Sequence, residues 1–156
     1  MSTEDKSTVT ITIDGQLSDY CLTIPGRMPG LNEYTAANRE HRNSGANMKK
    51  QHEASVLWNI KSQLRGVKFT GPVFLVFTFY EKDRRRDHDN VSGFAHKVIQ
   101  DALVKGGVLQ DDGWGYVSGY FDLFEVDKKK PRITVQFIEQ EVPERCKSKR
   151  KTNSAK

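Results

Sequence analysis

The sequence predicts an α/β domain of the α+β type: a small mixed sheet of about four to five strands covered by two helices. Three observations carry that expectation. The run from Val73 to Tyr80 is apolar nearly throughout, the pattern of a central strand covered on both faces. Val91, Phe94, Ala95, Val98, Ile99, Ala102 and Leu103 fall on one stripe of an amphipathic helix. Around these two segments lie shorter β-branched runs and one further helical pattern, in the order strand, helix, strand, helix, strand, strand.

Taken in order, Thr8 to Asp14 alternates polar and apolar residues, the period of a half-buried strand. Tyr20 to Ile24 is a second short strand, stopped by Pro25-Gly26. Pro25 to Ala46, rich in proline, glycine, asparagine and arginine, reads as a long polar loop, a surface excursion or a functional segment. Asn47 to Arg65 reads as a helix with Leu57, Ile60 and Leu64 inward, joined by Ala54 and Trp58, and Gly66 ends it. Asp89 or Asn90 can cap the Val91 helix, and Gly106-Gly107 can close it. Tyr116 to Val126 and Arg132 to Ile138 are the last strands, with Asp127 to Pro131 as the turn between them. The domain is expected over 19–140, preceded by an extension (1–18) and followed by a basic disordered tail (141–156).

Composition narrows the class. A chain of 156 residues with 36% hydrophobic and 29% charged residues builds one soluble domain. The longest apolar run is far too short to span a bilayer, the N-terminus is unlike a signal peptide, and Cys21 and Cys146 lie far apart. A cytoplasmic protein without membrane contact or disulfide framework is expected. The net charge of +5 belongs to the tail: six basic residues and one acid lie between Glu144 and Lys156. Local grouping of charge is therefore the better guide to a partner.

The grouping that stands out is Arg84-Arg85-Arg86-Asp87-His88-Asp89-Asn90, read with Asp111-Asp112. In an extended segment, Asp87 and Asp89 leave on one side roughly 6–7 Å apart, close enough to share an ion, while His88 points the other way. Carboxylates are hard oxygen ligands suited to Mg²⁺ or Mn²⁺. A helix from Asn90 to Lys105 carries the chain about 24 Å away, and Gly107 to Asp112 can return roughly 20 Å if extended, so convergence with Asp112 is feasible. The same residues also have plainer uses. Asp89 or Asn90 can be a helix cap, Asp111-Asp112-Gly113 an ordinary turn, and Arg84 to Arg86 a solvated edge. Lys97 can pair with Asp101 at i, i+4, or reach a scissile phosphate.

Arg85, Arg86, Asp87, Asp89 and Asn90, then Lys97, Asp101, Ala102 and Leu103, then Gly107, Leu109, Asp111 and Asp112 together resemble the RusA family of Holliday junction resolvases. The resemblance runs from about Tyr20 to Glu139, with Pro25, Asn32 and Tyr34 as its N-terminal part. It implies a small homodimeric, magnesium-dependent endonuclease, common in phages and prophages, that nicks four-way DNA and uses no small-molecule cofactor. The family's acidic positions fall on Asp87, Asp89 and Asp112, with Asp111 beside the last, and its helix lysine falls on Lys97. Lys97 stands four residues farther from Asp89 than in the family's best-known form, a shift of about 6 Å along the helix axis.

The expected chemistry is phosphodiester hydrolysis by metal-activated water, with Mg²⁺ (or Mn²⁺) held by Asp87, Asp89, Asp112 and Asp111. Arg84, Arg85, Arg86, Asn90, Asn32, Arg39 and Arg42 are the candidate DNA contacts, Lys97 a candidate catalytic lysine. A two-fold dimer would offer paired sites to a nearly two-fold junction. Two other readings fit the same residues: a different small Mg²⁺-dependent nuclease or phosphohydrolase, and a non-catalytic DNA-binding module.

Overall fold

The apolar run at the middle of the chain becomes the central strand β2 (Val73–Glu81) of a four-stranded mixed sheet. The structure, a computed structural model, describes residues 10–141. The other elements are β1 (Gln16–Pro25), α1 (Leu31–Glu40), α2 (Ser44–Gln63), α3 (His88–Lys105), β3 (Val117–Val126) and β4 (Arg132–Glu139). The α+β class stands, with three helices where two were expected and the order β-α-α-β-α-β-β.

The strand order is β1-β4-β2-β3. β2 and β3 are parallel, joined by the α3 crossover, and β4 runs antiparallel between β1 and β2. The segment after β3 is therefore no hairpin turn. It carries the chain across the end of β2, where the Asp127 N–H donates to the Glu81 carbonyl at 2.8 Å.

Alternation along β2 sets the layers. Val73, Leu75, Phe77 and Phe79 are buried under the helices, beside Val135 and Phe137 of β4. Phe74, Val76 and Tyr80 lie on the opposite, half-buried face. Every residue of the expected α3 stripe, from Val91 to Leu103, is buried. The cap of α3 is Asp87 instead of the expected Asp89 or Asn90, because the helix already begins at His88: the Asp87 carboxylate accepts the Asn90 N–H at 2.8 Å. Gly107, at φ 76°, takes the left-handed closing position.

α2 is rotated from the expected orientation. Glu53, Val56, Ile60 and Leu64 face inward, Leu57 is half-buried, and Ala54 and Trp58 face solvent. Val56, Ile60 and Leu64 form the buried stripe, and Glu53, one turn before it, is buried with its carboxylate paired to Lys105 of α3.

The long polar segment after β1 is also corrected, since most of it is helical. α1 forms because its start is tied down at a distance. Asn90 on α3 accepts the Asn32 N–H at 3.0 Å, and a Cβ on Gly30 would collide with the same amide. The Glu33 side chain accepts the Gly30 N–H at 3.3 Å, and Tyr34 packs on Phe94 with ring centroids 4.9 Å apart. β1 begins at Gln16, inside the expected extension. Residues 10–14 of the expected first strand have no regular structure, and its first two residues lie outside the described ones, as does the basic tail beyond 141.

Candidate active site

The chain leaves β2 at Glu81 and enters α3 at His88, so Arg84 to Asp87 form a short bridge between a strand end and a helix start. Because β2 and β3 are parallel, both finish at this end of the sheet. That is where ligands commonly sit in sheets of this kind, outside the carboxyl ends of parallel strands. Here the structure has an open cleft of ≈ 730 Å³. Arg84, Arg86, Asp87, His88 and Asp89 line one side, Phe124, Glu125 and Val126 of β3 the other, with Glu81 and Asp83 between.

Asp87 and Asp89 are thus brought to one cavity, and both are exposed. Asp87 commits one carboxylate oxygen to the Asn90 N–H, which fixes its direction and leaves the second oxygen free. Asp89 stands in the first turn of α3, at the positive end of the helix dipole. Arg84 is exposed at the rim.

The three arginines divide. Arg85 points to solvent beside Asp83, 3.7 Å away, and does not line the cleft. The Arg85 backbone N–H, with the nearby cations, holds the Asp83 carboxyl below its ordinary range. Arg86 is a structural clamp: its guanidinium donates to the Met28 carbonyl at 3.0 Å and pairs with Glu81. Arg27 reaches the other Glu81 oxygen at 2.8 Å. Glu81, which sequence reasoning passed over as the end of a strand, is therefore flanked by two guanidinium groups and anchors the bridge.

Asp111 and Asp112 are not brought to this cavity within the chain. α3 is 18 residues long and carries the chain about 27 Å from the cleft. The following residues do not extend back. Val108 and Leu109 are buried, their N–H groups donate to the Leu103 carbonyl at 3.0 and 3.2 Å, and the Phe69 N–H donates to the Val108 carbonyl at 2.9 Å. The loop holding Asp111 and Asp112 leads into Val117, which pairs with Val73 at the other end of the sheet. Both carboxylates are exposed there, and Asp111 accepts the Asp112 N–H at 2.8 Å. Among the described residues, no three His, Cys, Asp or Glu side chains gather closely enough to hold a metal ion.

The remaining candidates also sit elsewhere. Lys97 lies about 12 Å along α3 from Asp89 and pairs with Asp101 at 3.3 Å, next to the tighter Lys49–Asp101 pair at 2.6 Å. Burial works against the ionised Asp101, but its bonds to Lys49 and Lys97 outweigh that and hold its pKa down, while Lys49 is held up. Asn90 and Asn32 are joined to each other, a fold contact. Arg39 and Arg42 are exposed at the far end of α1.

Two aromatic features were missed. His88 stacks flat on Phe124, 4.0 Å between centroids at 7°, and forms an apolar wall of the cleft. His96 meets Asp122 at 2.8 Å beneath β3. Period-two alternation alone could have placed Asp122 on the helix side of its strand. Nothing local marks His96 as its partner.

The donor set of the cleft suits Mg²⁺. Asp87 and Asp89 offer two hard carboxylates, and this ion characteristically takes one or two of those and fills its other positions with water and substrate phosphate. No family model matches the chain, and no curated protein matches it. No helix among the described residues is long and apolar enough to cross a membrane.

Proposed function

We propose that this chain is a metal-dependent endodeoxyribonuclease that cuts four-way DNA, working as a two-fold dimer at the cleft of Asp87 and Asp89. The observation that carries this reading is the meeting of those two exposed carboxylates with Arg84 at the start of α3, in one open cleft. The RusA-like string supplies the junction as substrate.

The residues of the chain divide the work. Arg84 and the N-terminus of α3 attract a phosphate to the cleft. Asp87, held by its capping bond, and Asp89, in the first turn after it, would hold Mg²⁺ or Mn²⁺. When bound, that ion supplies Lewis-acid polarisation of the phosphate and a water of lowered pKa. Glu81, Arg86 and Arg27 hold the bridge that carries Asp87 in place. The third acid of the string, Asp112, reaches this cleft only from a second copy, because the length of α3 keeps it away in its own.

The test is incubation of a synthetic four-way junction, a flap, a duplex and a single strand with the purified protein, with and without Mg²⁺. Paired nicks in the junction alone, dependent on Mg²⁺ and lost in Asp89→Asn with binding retained, are expected. No cutting of any substrate in Mg²⁺ or Mn²⁺ would refute the reading. Two observations favour a second reading, a non-catalytic DNA-binding module: Asp87 already serves as a helix cap, and among the described residues one chain gathers no three-acid site. Under it, Asp89→Asn binds junctions as before and there is no activity to lose.

A further inference from the structure

We propose that the outer face of α2 is a nucleic-acid site separate from the cleft. It holds an unpaired strand, with a base stacked on Trp58 and phosphates met by Lys50, Lys61 and Arg65. None of these residues lines the cleft, and the site stands or falls apart from the nuclease reading.

The periodicity of α2 separates its two sides. Glu53, Val56 and Ile60 turn inward, and the helix packs on α1, α3 and β1. Lys50, Ala54, Trp58 and Lys61 follow one another at i, i+4, i+8 and i+11, which sets them within about 80° of each other on the side away from the core. All four are exposed, as is Arg65 just past the C-cap. Along the helix axis Lys50 lies about 12 Å before Trp58, and Lys61 about 4.5 Å after it.

Two features set this face apart from an ordinary solvated one. Trp58 is 76% exposed, although tryptophan is on average a well-buried residue. The charge around it is of one sign and unanswered. The one acid of α2, Glu53, is buried and paired with Lys105. Among the described residues, Lys50, Lys61 and Arg65 enter no ion pair.

Chemistry selects the occupant. A row of cations calls for a polyanion, and a free indole ring calls for a flat apolar partner. An unpaired strand supplies both, because each of its bases has an open face and a phosphate on either side. In a duplex those faces are covered by neighbouring base pairs. A lipid surface needs a broad apolar face, and this one has a single ring and a methyl group. The centres of protein interfaces are depleted in charged residues, whereas here two lysines flank the ring. If the cleft cuts branched DNA, a flap would gain from this site and a fully paired junction would not.

The test reads binding alone. Trp114→Phe leaves Trp58 as the sole tryptophan, and its fluorescence is titrated with oligothymidylate, oligouridylate, a duplex of the same length and polyglutamate. Unpaired strands of about 12 nucleotides should quench it, and the duplex should bind about tenfold more weakly. Whichever of the two strands binds more tightly identifies DNA or RNA as the source, and either supports the site. By anisotropy of labelled oligothymidylate, Trp58→Ala and Trp58→Leu should each weaken binding about tenfold, while Trp58→Phe, which still stacks, should lose about twofold. Changing Lys50, Lys61 and Arg65 together to glutamine should reduce the slope of log affinity against log salt by about 2. Circular dichroism spectra should be unchanged, since every altered residue is exposed or conservatively replaced. Trp58 fluorescence indifferent to the strands, equal quenching by duplex or polyglutamate, or full affinity in Trp58→Ala would each overturn the proposal. Because cutting enters none of these readouts, failure of the nuclease reading and failure of this site are told apart.

Discussion

If the cleft is completed across the dimer, two defective chains should repair each other. Asp89→Asn removes an acid at the start of α3, and Asp112→Asn removes one beyond its end, about 27 Å of helix away. Each variant alone is expected to be inactive, since both of its sites are damaged. In a mixed dimer, one site receives both changes and the other receives neither. Equal amounts refolded together give about half mixed dimers by random exchange, so about a quarter of the original sites are intact. The assay is nicking of a labelled junction in Mg²⁺, comparing the mixture with each variant and with unmodified protein. Nicking should return to about a quarter of the original rate, and paired nicks should stay rare because a mixed dimer has one working site. A mixture no more active than its parts would show that Asp112 does not act across the dimer.

Arg86→Met should lower stability to urea by about 2–3 kcal/mol, because the Arg86 and Glu81 side chains are only 14% and 12% exposed and Glu81 would keep Arg27 alone. Lys97→Ala should change cutting less than about threefold and stability by about 0.5 kcal/mol, as expected of a half-exposed pair remote from the cleft. Burial, opposed by Glu33, lowers the His52 pKa from its ordinary 6.5. The unfolded chain then takes up the proton first, so this contribution is complete above 6.5 and is lost as pH falls below it. His52→Gln should flatten the decline in stability between about pH 7 and pH 5, followed by thermal melts in a pH series.

What could be read in advance follows the range of the forces involved. The α3 stripe and the β2 core were legible because they depend on periodicity, and all seven residues of the expected stripe, Val91, Phe94, Ala95, Val98, Ile99, Ala102 and Leu103, are buried. α1 was not legible, because the Asn90 amide that organises its start lies 58 residues away along the chain. The α2 orientation was hidden for a similar reason: Lys105, the partner of buried Glu53, lies 52 residues away along the chain. Nor does any local pattern show that β4 enters between β1 and β2. In the cleft, Asp87 and Asp89 were expected on one side of an extended segment with His88 opposite; instead α3 begins at His88, and His88 and Asp89 both line the cleft from its first turn. Joining Asp112 to them required an extended return after α3, and the burial of Val108 and Leu109 rules that out within one chain.

The crossing from β3 to β4 has a consequence for how DNA would be met. The Asp127 carboxylate accepts the Lys129 and Lys130 N–H groups at 3.2 and 3.1 Å and the Arg132 guanidinium at 2.8 Å. Those bonds, the Lys130 N–H first, hold its pKa down, so it stays ionised and the loop stays tied across neutral pH. Lys128, Lys129 and Lys130 are exposed on this tied loop, directly after the Val126 that lines the cleft. Three ammonium groups so presented form a cationic sill whose backbone need not order on contact, and three phosphates gripped there would make log affinity fall with log salt at a slope of about −2.7.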